Sequence, residues 1–218
     1  MIINNIRYTI LIILSAVLFS GCSRTDVEYY PDGRRKYEIP YENGEINGLA
    51  KWWYQNGRPE QFVEYRDGKP HGQFIRWYNH GVKEYEESYK KGVKDGLSTE
   101  WSRTGIKVKE KTYRNDTLNG TYREYHNNGY LKLEGKYKDG MWHGQWIYWD
   151  DIGNVMGTGE FENGDGQIRY WNMDGGLIKV VNVEDNEKHG KEIHWDDDGN
   201  KILEITYDQG AVVNEEQF

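Results

Sequence analysis

From about residue 28 onward, apolar and polar positions alternate in short runs broken by glycine-bearing turns. Gln73 to Tyr78 reads as one strand, and Asn79-His80-Gly81 as a turn. A second strand runs from about Lys83 to Tyr89, and Lys90-Lys91-Gly92 turns the chain again. Period-two alternation places Leu49, Lys51 and Trp53 on one face of the first strand type, with Gln145, Ile147 and Trp149 as an equivalent set. In the second strand type Leu203, Ile205 and Tyr207 share a face, as do Leu131, Leu133 and Tyr137. Glu84, Glu86, Glu110, Glu134 and Glu204 fall on the alternate positions, which the pattern assigns to a solvated face. No stretch after Cys22 carries a helical period, so the chain is expected to be all-β.

The alternation recurs. Gly48, Gly72, Gly96, Gly120 and Gly144 stand 24 residues apart, followed by Gly166 after 22 and Gly190 after 24. Gly33, Gly57, Gly81, Gly105, Gly129, Gly153, Gly175 and Gly199 keep the same phase. A third set, Gly44, Gly68, Gly92, Gly140, Gly164 and Gly210, lapses only where Asp116 and Asn186 stand in. Asp and Asn are the side chains that best tolerate a left-handed backbone, so that position is expected to require φ > 0. One aromatic column holds Trp53, Trp77, Trp101, Tyr125, Trp149, Trp171 and Trp195, and is expected to be the buried structural peg. Another holds Tyr65, Tyr89, Tyr113, Tyr137, Phe161, Val183 and Tyr207. Such periodicity predicts an elongated, twisted antiparallel sheet of repeated β-hairpins, each burying its apolar face against its neighbours. Seven units span residues 47–210, preceded by a tether and partial repeat (22–46) and followed by a polar tail (211–218). The shortened unit at Gly164-Asp165-Gly166 is expected to turn more tightly.

Residues 1–21 have another character. Arg7 is their only charge, and the apolar run Ile10 to Phe19 is shorter than the roughly 20 residues of a membrane-spanning helix. Phe19-Ser20-Gly21-Cys22 resembles a bacterial lipobox, with Phe where Leu is usual. That reading makes Cys22, the only cysteine, the lipid-attachment residue of a protein of the bacterial cell envelope, at the outer membrane or cell surface. The alternatives are a plain secretory signal or an uncleaved anchor. The whole chain has only 36% hydrophobic residues but 15% aromatic, with 18 Tyr and 9 Trp, which suits thin structures whose rings keep a wet edge. A formal charge of −8 and the lack of a basic block argue against nucleic-acid binding.

Candidate chemistry is sparse. His71, His143 and His189 occupy one repeat position held elsewhere by Asn or Asp, which marks a turn. Copies two strands apart are separated by about 9–10 Å, too far to share one metal ion. His80, His126 and His194 are scattered along the strands and their turns. Asp150-Asp151 and Asp196-Asp197-Asp198 do not follow the spacing of a calcium-binding loop. With no free thiol, nucleophile elbow or phosphate loop, no catalytic activity, metal or cofactor is expected.

The unit pattern G-x4-W-Y-x-N-G, followed by Glu and Y-x-D-G-x2-H-G, is clearest in WYQNG…EYRDGKPHG (53–72) and YHNNG…KYKDGMWHG (125–144). It resembles the MORN repeat in its bacterial variant, as in YwqK-type antitoxin-family proteins, over about Glu28 to Val213. Val183 in the aromatic column and the two-residue deletion before Gly166 depart from it. The resemblance implies a protein-interaction scaffold, with a toxin as the partner of an antitoxin or immunity protein. A second hypothesis is carbohydrate or cell-wall binding through rows of exposed Trp and Tyr. For either, Trp52, Tyr54, Phe74, Arg76, Tyr78, Tyr148 and Tyr170 are the candidate contact residues, expected on the face opposite the tryptophan column. Direct association with lipid headgroups is opposed by the acidity.

Overall fold

The computed structural model describes residues 22–218, and the signal-sequence expectation for 1–21 lies outside them. Eighteen strands, from β1 (Ser23–Tyr29) to β18 (Ala211–Gln217), form one open antiparallel sheet of repeated hairpins. Each strand pairs with its neighbour in the chain. β3 (Glu45–Ile46) and β4 (Gly48–Trp53) are two halves of one strand, both laid on β2 (Arg35–Glu42). Among the described residues no helix is long and apolar enough to cross a membrane.

Two-residue turns set the register. Asp67-Gly68 joins β5 (Pro59–Arg66) to β6 (Lys69–Trp77), with Arg66 paired to Lys69 and both turn residues at positive φ, 50° and 71°. Two successive left-handed residues make the turn whose twist matches that of the strands. Asp116 and Asn186, standing in for glycine, hold φ of 63° and 69°, as their substitution pattern predicts. Each turn is also tied to the hairpin before it: Gly68 N–H donates to the Ile46 carbonyl at 2.9 Å and Gly92 N–H to that of Pro70 at 2.8 Å. The opposite end of the sheet has its own ties. Hydroxyls of Tyr30, Tyr54 and Tyr78 donate to the carbonyls of Trp53, Trp77 and Trp101 at 2.7, 2.6 and 3.0 Å. Hairpins tied at both ends in this way are anchored by a neighbour, which a lone hairpin lacks.

The period-defining glycines sit at bulges. Val63 pairs with Phe74 and Tyr65 with Pro70, which leaves Glu64 facing His71-Gly72-Gln73, and Gly72 takes φ 106°. The shortened unit shows what the extra residues do. Between β13 (Val155–Glu162) and β14 (Asp165–Trp171), pairing is continuous from Glu162–Asp165 to Gly157–Tyr170. Contrary to the expectation of a tighter turn, Asn163-Gly164 turns like the others, and the deletion removes the bulge instead.

Both chain ends also differ from expectation. β1 starts at Ser23, directly after the exposed Cys22, so residues 23–29, expected in the tether and partial repeat, form a strand paired to β2. Residues 211–217 are not a loose tail: they form β18, turned back by Gln209-Gly210 and paired to β17 (Lys201–Asp208) from Asp208–Ala211 to Leu203–Gln217.

The faces require the largest correction. Among the described residues, all seven buried hydrophobic side chains, Ala50, Val63, Trp146, Phe161, Ile168, Val181 and Val183, lie on the face opposite the tryptophan column. We call this the core face. The Tyr65-to-Tyr207 aromatic column is there too, with each member paired across the ladder to an origin glycine, as in Gly72–Tyr89 and Gly144–Phe161. The tryptophan column on the other face is only half-buried, and it shares that face with Glu86, Glu110, Glu134 and Glu204. Lys83 bridges Glu86 at 2.6 Å and lies over the Trp101 ring, while the Tyr125 hydroxyl donates to Glu110 at 2.6 Å. Glu84 alone is turned to the core face by a bulge, where it meets Arg76 at 3.1 Å. Alternation fixes faces within a strand; turns and bulges fix which residues lie opposite between strands.

Candidate binding surface

One row of register partners crosses the core face, every position but Gly157 bearing a side chain. Trp52 pairs with Gln61, Gln61 with Arg76, Arg76 with Tyr85 and Tyr85 with Glu100. Glu100 pairs with Lys109, Lys109 with Glu124, Glu124 with Leu133 and Leu133 with Tyr148. Beyond Gly157 the row continues through Tyr170, Lys179, His194 and Leu203. At strand spacing this is one register position about every 4.8 Å.

The row is polar in its middle. Lys94 meets Glu87 at 2.6 Å, Ser98 donates to the same carboxylate at 3.2 Å, and Lys109 meets Glu124 at 2.9 Å. Glu87, Lys94, Ser98 and Lys109 border a cleft of about 260 Å³ with Tyr85 and Glu100 on its walls. Farther along, Tyr148 and Tyr170 flank the bare backbone of Gly157, with ring centroids 5.5 Å apart and planes at 53°. Lys179 lies 4.2 Å over the Tyr170 ring. Together with His126, Lys132 and Met156 the two tyrosines line a shallow cleft of about 470 Å³.

Burial and hydrogen bonding shift several ionisable groups of the sheet. Burial, reinforced by the neighbouring Tyr170, pushes the Tyr148 phenol well above its ordinary value. Burial also raises Tyr122, and its hydrogen bond to Glu124 adds to the effect. Burial pulls Glu110, Glu124 and Glu192 upward, but their hydrogen bonds outweigh it and hold all three below the usual carboxylate range. Lys107 and Tyr125 serve Glu110, Tyr122 and Lys109 serve Glu124, and Lys188 and His194 serve Glu192. A carboxylate whose pKa is depressed by folding stabilises the fold above its unfolded value, near 4.3, and loses that contribution as pH falls through the folded value. The melting temperature is therefore expected to be level from about pH 6 to 8 and to fall steeply below about pH 4.5. Melts followed by circular dichroism across that range test this, and an unchanged midpoint at pH 3 would contradict it.

Of the sequence-derived contact residues, Trp52, Arg76, Tyr148 and Tyr170 lie in the row, and Phe74 lies one register position away on the same face. Tyr54 and Tyr78 do not join them. They belong to the hydrogen-bond ladder at the sheet end, because the bulge beside Trp53 and Trp77 ends the strand alternation there. Sequence pattern does not single out Glu87, Lys94, Lys109 and Glu124; only the Glu124 position is aromatic in several other units, as Trp52, Tyr148 and Tyr170. Gly157 was also missed, and its signal was a glycine out of phase with all three periodic sets. His71 and His189 accept weak hydrogen bonds from the Lys91 and Gln209 amides, each at 3.4 Å, in keeping with turn positions.

A family model described as "MORN repeat variant" matches residues 27–43, 70–91, 118–139 and 188–209. Each of the last three segments begins two residues before an origin glycine and ends on the first residue of a two-residue turn, so one match covers one hairpin. A search of curated proteins finds no match to the chain.

Proposed function

We propose that this array, four of whose hairpins match the MORN repeat variant, is a non-catalytic scaffold that binds a protein partner while tethered to a membrane through Cys22. The observation that carries the reading is the core-face row from Trp52 to Leu203, which offers aromatic, acidic and basic groups in turn. Such a mixed, elongated surface suits another protein better than a small ligand, which favours enclosed concave pockets. An exported immunity role, in which the partner is a toxin, is the finer form of this reading. Tethering draws support from the lipobox-like Phe19-Ser20-Gly21-Cys22 and from the start of β1 one residue later. Acyl chains on Cys22 would hold the first edge of the sheet at the membrane surface.

Labelled palmitate should enter the full chain expressed in a bacterial host, and Cys22→Ser should abolish the label and release the protein to the soluble fraction. A photo-crosslinker at Glu100, in the row, is expected to join a discrete protein. One at Gln145, exposed on the opposite face, is not. Equal cross-linking from both positions would refute the row as the binding surface. The Tyr148–Tyr170 pair flanking Gly157 supports a second reading, stacking on a sugar. Retention on purified cell wall, lost in Tyr148→Ala and Tyr170→Ala, would decide for that reading.

A further inference from the structure

At one end of the sheet, two consecutive units lack a feature that four of the eight hairpins carry. In four units, on the tryptophan-column face, a cation just after the turn meets a glutamate three residues later: Arg35 with Glu38, Lys83 with Glu86, Lys107 with Glu110 and Lys201 with Glu204; the unit of Gly48 has Pro59 and Phe62 there, and that of Gly120 has Leu131 with Glu134. These pairs lie beside the column rings, with Arg35 over Trp53 and Lys83 over Trp101. In the units of Gly144 and Gly166 the same two positions hold Val155 with Thr158 and Leu177 with Val180. Both charges are gone, twice in succession, and an apolar stripe replaces them.

That stripe is uncovered. Val155 is 52% exposed, Met156 42% and Leu177 38%, while Ile152 and Met173 in the adjoining turns reach 67% and 82%. Val155, Met156, Met173 and Ile178 surround a groove of about 390 Å³ floored by Trp171 and edged by Asp150. Single exposed hydrophobes are ordinary, but a contiguous group with a groove marks an interaction surface.

The rim chooses the occupant. Turns 150–154, 172–176 and 196–200 contain six aspartates and no lysine or arginine, whereas the corresponding turns of earlier units carry Arg34, Arg58 and Arg103. Asp151, Asp174 and Asp198 are exposed, and among the described residues none lies within ion-pair distance of a cation. An acidic rim around an apolar groove repels anionic headgroups and nucleic acid. It also disfavours a second copy of a chain whose own formal charge is −8. We infer that this end of the sheet docks a basic amphipathic protein segment, its apolar side chains in the groove and its lysines or arginines against Asp151, Asp174 and Asp198. The inference deepens the scaffold reading by naming a partner chemistry, and it places the contact at the turn end of the sheet, where Met156 is shared with the cleft beside Tyr148 and Tyr170.

The test uses three synthetic 18-residue peptides and the purified full chain. One peptide carries leucines at helical spacing with lysines elsewhere, the second replaces lysine by glutamate, and the third replaces leucine by serine. The Leu/Lys peptide is expected to bind at least tenfold more tightly than either of the others. Val155→Lys, Thr158→Glu, Leu177→Lys and Val180→Glu, combined, install the ion pair that other units already carry and should weaken binding at least tenfold. Asp151→Asn, Asp174→Asn and Asp198→Asn together should remove the preference for lysine over glutamate. Should the fourfold variant fail to fold, Met173→Asp, at a site 82% exposed, provides the same reading with an expected threefold loss. Equal binding of the Leu/Lys and Leu/Glu peptides, no binding of either, or unchanged affinity in the variants would overturn the inference. So would self-association of the native chain in sedimentation that the fourfold variant abolishes. A core-face variant such as Trp52→Ala should leave peptide affinity unchanged, so the core-face row and this groove can fail independently.

Discussion

Trp146→Ala is expected to lower the free energy of unfolding by about 3–5 kcal/mol, the usual range for truncating a buried large aromatic. Trp146 is 1% exposed on the core face, packed with Phe161, Ile168, Val181 and Val183. Its ring lies 4.9 Å from that of Trp142 and 5.3 Å from that of Tyr137, so it joins side chains from several successive strands. In a repeat array each unit is stabilised mainly by its neighbours, and weakening a central contact uncouples the two flanks. Chemical denaturation followed by circular dichroism should therefore show a lower midpoint and a broader or split transition. Trp146→Phe should cost much less. It keeps a ring in place and removes an indole N–H for which no acceptor lies within reach among the described residues. A Trp146→Ala midpoint close to that of the parent would show that the cluster does not hold the array together.

Gly135→Val should be nearly as damaging, for the opposite reason. A β-carbon at Gly135 would stand 2.1 Å from Trp146 Cδ2, so the indole occupies the space that any side chain there needs. Gly135 does not have positive φ, so the cost is overpacking, at or above the upper end of about 1–3 kcal/mol. Gly144→Ala provides the contrast. No atom lies within 4 Å of its added β-carbon, but its φ of +67° costs roughly 1–2 kcal/mol in backbone strain. Combining Gly135→Val with Trp146→Ala should be less harmful than the sum of the two, because the valine can enter the vacated space. Strict additivity in the double-mutant cycle would disprove the steric account.

Much of this fold is legible in the residues. Glycine spacing located the hairpins, and the replacement of glycine by Asp116 and Asn186 announced a left-handed turn that both residues adopt. The candidate surface was only half legible. Trp52, Arg76, Tyr148 and Tyr170 were named because large side chains recur opposite the column, and they do lie in one row. Tyr54 and Tyr78 were grouped with them because alternation was carried past a bulge that only the register reveals. The Val155 and Leu177 stripe is visible as apolar residues at a position held by Lys83, Lys107 and Lys201 in other units, but its meaning depends on the pairing of those lysines with Glu86, Glu110 and Glu204.

The sequence alone determined the strand content, the period, the turn positions and the alternation within each strand, because these follow from local backbone sterics and side-chain spacing. Only the tertiary structure decided which residues of adjacent strands lie opposite one another. Bulges of one or two residues shift that pairing without altering the alternation on either side. That shift put the buried core on the face opposite the tryptophans and brought the glutamates beside them. It also turned a two-residue deletion into a lost bulge rather than a tighter turn.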